Sequence, residues 1–473
     1  MSLITYLIYI FRNRTSLQIC IFEKLFCGII LLKRGIFMSD NRIYFVDVTN
    51  RDGVQTSRLG LAKLQKTIIN LMLDSMGITQ SEFGFPTTKH ELNYLNANLE
   101  LVNRGAISTT KLSGWMRGIA ADVEQSYANV PDLKYVNLSQ STSEQMINGK
   151  YLGKKTPDDI IRMTKEAVEC AVDKGARIIG VNAEDASRSD IEFLIKYAKE
   201  AKKSGAHRFR YCDTLGGEDP LTTYDRIYRI AKEIQMPVEL HFHNDLGMAA
   251  ACSITGAKAA IDAGVDAYIN TAINGMGERA GNADLVSCLL GCLKSEGFKG
   301  KYKIDENIKL DKAWQIAKYT AYAFGVPIPM NQPAVGDNAF AHESGIHADG
   351  ALKDRRNYEL YDFEELGRGE PEIIETGRMI TTGEYSGIKG FRNVYNNLEL
   401  EFKDEHEARN ILELVRYANV HTQKPLTTSE LRFIYYYPDI AAKVMTVSPY
   451  YEPIGAIKER VDAQKLHVPT NII

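Results

Sequence analysis

Short β-branched segments alternate with amphipathic segments eight times between residues 42 and 293, and this rhythm constrains the fold more than any other feature. The segments that predict strands are residues 43–48, 78–83, 107–112, 135–138, 177–182, 208–213, 238–243 and 267–272. Apolar residues at i, i+3 and i+4 predict helices, most clearly over residues 61–76, 156–173, 191–203, 221–234 and 248–263. Several helices stop at a glycine, as at Gly77, Gly175, Gly205 and Gly264.

Eight strands that alternate with eight helices are the count of a (β/α)8 barrel. A doubly wound open sheet is the alternative, but it normally has a glycine-rich phosphate turn after its first strand, and residues 49–53 do not form one. The alternation of strand-like and helical segments ends after residue 300. We therefore expect an α/β fold with a TIM barrel over residues 38–300. A helical and then mixed α/β extension should follow over residues 301–473, with a strand at residues 428–437.

The composition is that of a soluble globular protein, with 44% hydrophobic and 25% charged residues among 473. A net charge of -3 argues against a nucleic-acid partner and against an anionic membrane surface. The seven cysteines are scattered and include no CxxC pair, which predicts reduced thiols in a cytoplasmic protein.

The first 37 residues are apolar and basic and differ from the rest of the chain. Their uninterrupted apolar runs are shorter than the roughly 18 residues that a membrane span needs. They also lack a clear small-residue cleavage site. Met38 begins a segment that resembles an ordinary soluble N-terminus, so we expect residues 1–37 to be an extension outside the native protein rather than a targeting signal.

His241 and His243 lie two positions apart at the end of the seventh predicted strand. Residues i and i+2 of a strand point to the same side, so the two imidazoles should emerge together as a pair of metal ligands. Such a pair by itself is often only packed or exposed. Asp52, which follows the first strand, could complete the site, although it could also simply cap a turn.

Polar side chains follow nearly every predicted strand, and in a barrel the carboxyl ends of the strands meet at one face. Each group also has a structural interpretation, such as a helix cap for Asn282 or a simple turn for residues 213–217. If every group had only such a structural role, all of them would share one end of the barrel by chance. The groups are Arg51 and Asp52, Glu82, Ser139 and Gln140, Asn182, Glu184 and Asp185, Asp213 and Thr214, His241 and His243, and residues 274–282.

Two imidazoles and one carboxylate leave open coordination positions on a divalent metal. The residues do not choose between Mn²⁺, Mg²⁺, Co²⁺, Fe²⁺ and Zn²⁺. Open positions would let a 2-oxo acid chelate the ion through its carboxylate and ketone oxygens, with the ion acting as a Lewis acid. Arg51 is placed to stabilise the charge that develops on the ketone oxygen.

Six ordered motifs make the chain resemble the DRE-TIM metallolyases, and more narrowly the 2-isopropylmalate, homocitrate and re-face-specific citrate synthases. The resemblance runs from about Arg42 to beyond Gly387. The motifs are Asn50-Arg51-Asp52-Gly53-Val54-Gln55, Glu184-Asp185, Asp213-Thr214-Leu215-Gly216, residues 241–248, residues 274–282 and residues 344–350.

The resemblance implies Asp52, His241 and His243 as metal ligands, with Asn282 at or near the metal, which we expect to be Mn²⁺. It implies Arg51 as the electrophilic residue and assigns Glu82, Asn182, Thr214 and Arg117 to substrate binding and Glu184 to catalysis. His347 and Tyr358 match catalytic residues that, in this family, reach over from the partner subunit of a domain-swapped homodimer. His347 would then be the general acid or base.

The implied reaction is the condensation of acetyl-CoA with a 2-oxo acid, followed by release of CoA. Residues 46–58 and 83–91 are most similar to re-face-specific citrate synthases, which implies oxaloacetate as the acceptor. Gly180 stands where homocitrate synthases tend to carry an arginine, and Trp115 where they carry a histidine. Residues 383–388 depart from the usual Gly-Lys-His-Ser-Gly-Arg motif, and we see no room for a leucine-feedback domain.

Several alternatives remain open at this point. Homocitrate synthase would use 2-oxoglutarate as the acceptor, and 2-isopropylmalate synthase would use 2-oxoisovalerate. A hydroxymethylglutaryl-CoA lyase should lack the long extension, and a carboxyltransferase should have a biotin-carrier motif. A non-catalytic binding protein on the same barrel should have lost at least one of Arg51, Asp52, His241, His243 and His347, and the chain keeps all of them.

Overall fold

A computed structural model describes residues 40–369 and 380–447, and its central feature is a closed parallel barrel. The strands are β1 (Arg42–Asp47), β2 (Gln80–Gly84), β3 (Lys111–Arg117), β4 (Tyr135–Ser141), β5 (Ile178–Glu184), β6 (Arg208–Asp213), β7 (Val238–Phe242) and β8 (Ala267–Thr271). Each strand pairs in parallel with the next, and β1 closes the ring by pairing with both β8 and β2. The predicted TIM barrel is therefore confirmed, and closure excludes the open sheet.

Amphipathic helices surround the barrel and bury their apolar faces against the strands. In chain order they are α1 (Lys63–Met76), α2 (Leu92–Asn103), α3 (Ala120–Asn129), α4 (Glu144–Tyr151), α5 (Pro157–Asp173), α6 (Ile191–Lys203), α7 (Pro220–Ile234), α8 (Ala249–Asp262) and α9 (Leu285–Lys294). Side-chain caps begin several of them, as where Thr156 and Asp159 form a capping box at the start of α5. Gly77 ends α1 with a left-handed φ of 78°, a conformation that glycine adopts without strain.

The extension after residue 300 is helical in the described ranges, apart from a two-residue strand, β9 (Lys303–Ile304), beside β1. Its helices are α10 (Ala313–Phe324), α11 (Gly345–Lys353), α12 (Ile388–Asn397), α13 (Glu405–Thr422), α14 (Thr428–Tyr436) and α15 (Pro438–Met445). The α15 helix packs on α2, where Arg104 pairs with Asp439. The mixed α/β character expected for this region was wrong for the residues described.

The strand expected at residues 428–437 was also wrong, because this segment forms α14. Thr427 and Glu430 make a capping box in which each side chain accepts a hydrogen bond from the backbone N–H of the other. Leu431 and Ile434, three positions apart, are both buried. The aromatic run that suggested a strand instead packs against Tyr395 and its neighbours.

The third strand lies about four residues later than expected, over Lys111–Arg117 rather than 107–112. The backbone N–H groups of Ser108, Thr109 and Thr110 all donate to Asp74 Oδ1, at 3.0, 2.7 and 2.8 Å, so this segment is a loop. As a result Trp115 lies within β3 and not after it.

Two further expectations concern the whole chain. The five cysteines in the described ranges form no disulfide, in agreement with the predicted reduced thiols. In those same ranges no helix has both the length and the apolar character needed to cross a membrane. Residues 1–37 lie outside the described residues.

Candidate metal and active site

Asp52, His241 and His243 come together at the carboxyl end of the barrel. Their ligand atoms all lie within 4.8 Å of one another. Asp52 Oδ2 is 3.5 Å from His241 Nε2 and 3.9 Å from His243 Nε2. The two imidazole rings are almost perpendicular, at 88°. A carboxylate and two imidazoles converging in this way form the donor set of a metal site with open positions.

Burial and neighbouring charges set the protonation of these three groups. Burial raises the pKa of Asp52, but Arg51 and the two imidazoles outweigh it and hold the pKa well below its ordinary value. Burial lowers the pKa of His241 and His243, an effect that Asp52 offsets only in part. An ionised carboxylate and neutral imidazoles are the forms that bind a metal ion.

Asn282 supports this cluster from the loop after β8. Its Nδ2 donates to Asp52 Oδ2 at 2.7 Å, and its Oδ1 is buried without a hydrogen-bond partner among the described residues. The Asn282 backbone pairs with Gly275 O at 3.0 Å and with His243 in a short bridge, which fixes the loop against β7. The unpartnered amide oxygen is a fourth potential donor, so the residues present fit a divalent cation.

Arg51 and Glu82 form a buried ion pair beside the cluster. Arg51 Nη1 is 2.9 Å from Asp52 Oδ1, and Arg51 Nε donates to Glu82 Oε2 at 2.7 Å. Glu82 Oε1 lies 2.7 Å from Arg210 Nη2 and accepts from Asn137 Nδ2 at 2.7 Å. Burial raises the pKa of Glu82, but Arg210 and Arg51 bring it down to about 2, so this carboxylate stays charged and orients Arg51.

A polar cavity of about 180 Å³ opens at this cluster. It brings together the sequence-predicted residues Arg51, Asp52, Asn182, Glu184, Thr214, His241 and His243. Its other lining residues are Gln55, Trp115, Ser139, Arg210, Cys212 and Glu278. Sequence reasoning missed Arg210 and Cys212, both on β6. Their spacing puts Arg208, Arg210 and Cys212 on one face of the strand, but it does not indicate that this face reaches the cavity.

Glu184 and Thr214 enter the cavity already engaged with other groups. Lys150 Nζ is 2.6 Å from both Glu184 carboxylate oxygens, and Ser141 Oγ donates to Glu184 Oε2 at 2.6 Å. Thr214 Oγ1 accepts a hydrogen bond from the backbone N–H of Asp185 at 2.9 Å. These bonds fix both side chains on the wall formed by β5 and β6.

Five of the predicted site residues do not line the cavity, and one of them, Asn282, is instead bonded to the lining residue Asp52. Glu82 lies fully buried behind Arg51, and Arg117 is 70% exposed and forms two hydrogen bonds to Asp122, at 2.8 and 2.7 Å. His347 and Tyr358 lie on the extension, exposed, with their ring centroids 4.4 Å apart. The last two therefore do not reach the cavity of their own chain.

Comparisons with known proteins show similarity over most of the chain. Residues 42–319, more than half of the chain, match the HMGL-like family, and residues 334–422 match the homocitrate synthase post-HMGL domain-like family. The chain is 58% identical to citrate (Re)-synthase of Dehalococcoides mccartyi over 86% of this chain and 99% of that protein. It is 37% identical to 2-isopropylmalate synthase 2 of Caldanaerobacter subterraneus over 84% of this chain and 96% of that protein.

A solved structure shows the same fold at a greater distance. Hydroxymethylglutaryl-CoA lyase from Pseudomonas aeruginosa is 15% identical and superposes with a TM-score of 0.50, covering 62% of this chain and 96% of that one. The matched families and the two relatives show that the chain belongs to the HMGL-like family, in the DRE-TIM group that includes the Re-citrate and 2-isopropylmalate synthases.

Proposed function

We propose that the protein is a metal-dependent acyltransferase that condenses acetyl-CoA with a 2-oxo acid, and that its acceptor is oxaloacetate, so that the products are citrate and CoA. The observation that carries this proposal is the Asp52, His241 and His243 cluster with Arg51 beside it. The similarity to a protein named citrate (Re)-synthase, over nearly all of that protein's length, supports oxaloacetate over longer or monocarboxylic acceptors.

Asp52, His241 and His243 would hold the metal, with the Asn282 amide oxygen as a further donor. A bound divalent cation, Mn²⁺ in our proposal, with Co²⁺, Mg²⁺ or Zn²⁺ as alternatives, would act as a Lewis acid toward the ketone of the acceptor. Arg51 stabilises the negative charge that develops on the ketone oxygen, and Glu82 holds the guanidinium in place for this task. Asn182 and Thr214 contribute polar contacts to the acceptor from the cavity wall.

Proton transfer needs a group near the methyl carbon of acetyl-CoA. We assign this step to His347, assisted by Tyr358, from a second copy of the chain in a domain-swapped homodimer. The two rings contact each other on the exposed α11 region and do not line their own cavity, which supports this arrangement. The catalytic barrel would then cover residues 38–300, and residues 301–473 would form the dimer and complete the partner's site.

Two further residues have proposed roles. Glu184, held by Lys150, would assist catalysis from the cavity wall. Arg117 would bind substrate only after release from Asp122. The free state of the five described cysteines supports a reducing compartment, which we take to be the cytoplasm.

The test is CoA release from acetyl-CoA with oxaloacetate, 2-oxoglutarate, 2-oxoisovalerate or pyruvate, each with and without Mn²⁺. We expect Mn²⁺-dependent release with oxaloacetate, loss of activity in His241→Ala, and full activity in the control His406→Ala, which changes a histidine on the remote helix α13. Activity confined to 2-oxoglutarate or 2-oxoisovalerate would overturn the acceptor. Activity retained in His241→Ala would overturn the metal site, and a folded protein inactive with all four acids would favour a binding function.

A further inference from the structure

Arg210 is a fully buried arginine whose guanidinium is only partly occupied. Its Nε donates to Glu239 Oε2 at 2.7 Å, and its Nη2 lies 2.5 Å from the same oxygen and 2.7 Å from Glu82 Oε1. Its Nη1 is buried and has no partner among the described residues. Arg210 lines the cavity beside the metal cluster, so Nη1 is a donor available to a ligand in the cavity.

The strand register places Arg210 below the metal ligands. Cys212 pairs with His241 across β6 and β7, and Arg210 pairs with Glu239. The guanidinium therefore originates two residues, or about 7 Å of strand, deeper in the barrel than His241. Asn182 pairs with Arg210 on the other side, from β5, and its Oδ1 is also buried without a partner. An unpaired donor, Arg210 Nη1, and an unpaired acceptor, Asn182 Oδ1, thus come from paired positions of β5 and β6.

The neighbouring arginine on the same face differs in these respects. Arg208 donates from Nη1 to Glu239 Oε1 at 3.0 Å and from Nη2 to Gln80 Oε1 at 2.9 Å, and it stacks over Tyr268. It does not line the cavity. Of the two arginines, Arg210 is therefore the one that a cavity ligand can reach.

Charge balance indicates what kind of ligand this is. Arg210 belongs to one buried ion-pair network that reaches the cavity and joins three cations to three anions: Arg51, Arg208 and Arg210, with Asp52, Glu82 and Glu239. They cancel, so a divalent cation on Asp52 and the histidines would leave two positive charges uncompensated. Buried charge is costly unless it is paired, and a doubly negative ligand would restore the balance.

We propose that Arg210 determines acceptor specificity by binding the second carboxylate of a dicarboxylic 2-oxo acid through Nη1. This inference rests on the proposed function, since it assumes that the first carboxylate and the ketone occupy the metal site. It explains why a buried guanidinium keeps an unpaired edge. It also predicts that monocarboxylic acids bind without help from Arg210.

The test measures binding without turnover, by calorimetric titration of the Mn²⁺-loaded enzyme with malate and with lactate. These are the stable reduced counterparts of oxaloacetate and pyruvate, and they differ in the second carboxylate. We expect Arg210→Lys to lose about tenfold or more in affinity for malate, the scale of a lost hydrogen bond to a charged group, and to keep its affinity for lactate. Arg208→Lys, the matched control, should keep the preference for malate.

Equal loss for malate and lactate, or no loss for either, would overturn the assignment. If Arg210→Lys does not fold, the double variant Arg210→Met with Glu239→Gln removes the cation and a carboxylate together and should show the same selective loss. Failure of the proposed function is distinguishable: the wild-type enzyme itself would then fail to bind Mn²⁺ or would show no preference for malate over lactate.

Discussion

Asn282 donates a hydrogen bond to Asp52 across 2.7 Å, although the two residues are 230 positions apart in the chain. Barrel closure is what brings them together, because β8 pairs with β1 and the loops after these strands become neighbours. The bond occupies Asp52 Oδ2, the same oxygen that faces both imidazoles. Asn282 therefore sets the direction in which the carboxylate presents its lone pairs.

Replacing Asn282 with alanine should weaken metal binding. The carboxylate would lose the donor that orients it, and substitutions of this kind typically cost about 10–100-fold in metal affinity. The change in affinity is measured by competition with a chelator, in which the release of Mn²⁺ is monitored. Asn419→Ala, which removes an amide hydrogen bond within α13, is the control and should leave the affinity unchanged. Unchanged affinity in Asn282→Ala would show that Asp52 is oriented without it.

Arg51→Lys should lower kcat by about 10²–10³-fold with little change in the KM for acetyl-CoA. Lysine keeps the charge but cannot contact Asp52 and Glu82 together while it faces the cavity, as the fork of Arg51 does. Steady-state kinetics with oxaloacetate would measure this. Arg188→Lys changes an arginine that pairs with Asp185 outside the cavity, and it should be close to wild type. A wild-type kcat in Arg51→Lys would remove Arg51 from the catalytic step.

The barrel could be predicted from the sequence because short strand segments alternate regularly with helices that carry an apolar face. The prediction failed where local polar bonds decided the structure. Asp74 holds residues 108–110 in a loop, and the capping box of Thr427 and Glu430 turns an aromatic run into a helix. In both places a side chain satisfied backbone groups that a strand would have used.

The metal cluster was predictable for a similar reason, since strand ends carry their residues to one face of a barrel. Arg210 was not, because it lies in the middle of β6 and its partners, Glu82 and Glu239, come from β2 and β7. A buried charge in mid-strand has meaning only once its counterions are known. The side-chain contacts of β6 with β2 and β7, and not the order of the strands alone, supplied that information.

Asp47 should make the stability of the fold depend on pH. Burial raises its pKa to about 7, despite hydrogen bonds from the backbone and hydroxyl of Thr49. Between the ordinary value of 3.8 and about 7, the folded protein holds a proton that the unfolded chain has released. The free energy of unfolding therefore falls as pH rises through this window and levels off above it.

The variant Asp47→Asn removes this titration and keeps the shape of the side chain. The variant's free energy of unfolding minus that of the wild type should be larger at pH 8 than at pH 4, so that the variant gains relative stability as pH rises. The change should be on the order of a few kcal/mol, as urea unfolding would measure. Measurements at pH 8 and pH 9 provide the internal control, because both lie above the window and should give the same difference. An equal difference at pH 4 and pH 8 would contradict the raised pKa.

Trp115 forms a wall of the cavity directly beside Arg51. The Arg51 guanidinium carbon lies 5.5 Å from the centre of its ring, and Phe85 contacts it edge-on at 5.7 Å. A large, braced side chain in the cavity wall takes up space that a longer acceptor would need. We therefore expect oxaloacetate to fit and an acid one methylene longer to meet the indole.

Trp115→Ala should therefore relax the choice of acceptor. We expect the ratio of kcat/KM for 2-oxoglutarate to that for oxaloacetate to rise by about tenfold or more, the scale on which a pocket discriminates one methylene. Trp314→Phe alters the chain's other tryptophan, which stacks with Arg368 on the extension, and should leave the ratio unchanged. If activity falls equally for both acids, Trp115 acts by supporting Arg51 through their contact. A rise confined to 2-oxoglutarate would show that the indole sets the length of the acceptor. This effect would be independent of Arg210, which we propose binds the second carboxylate.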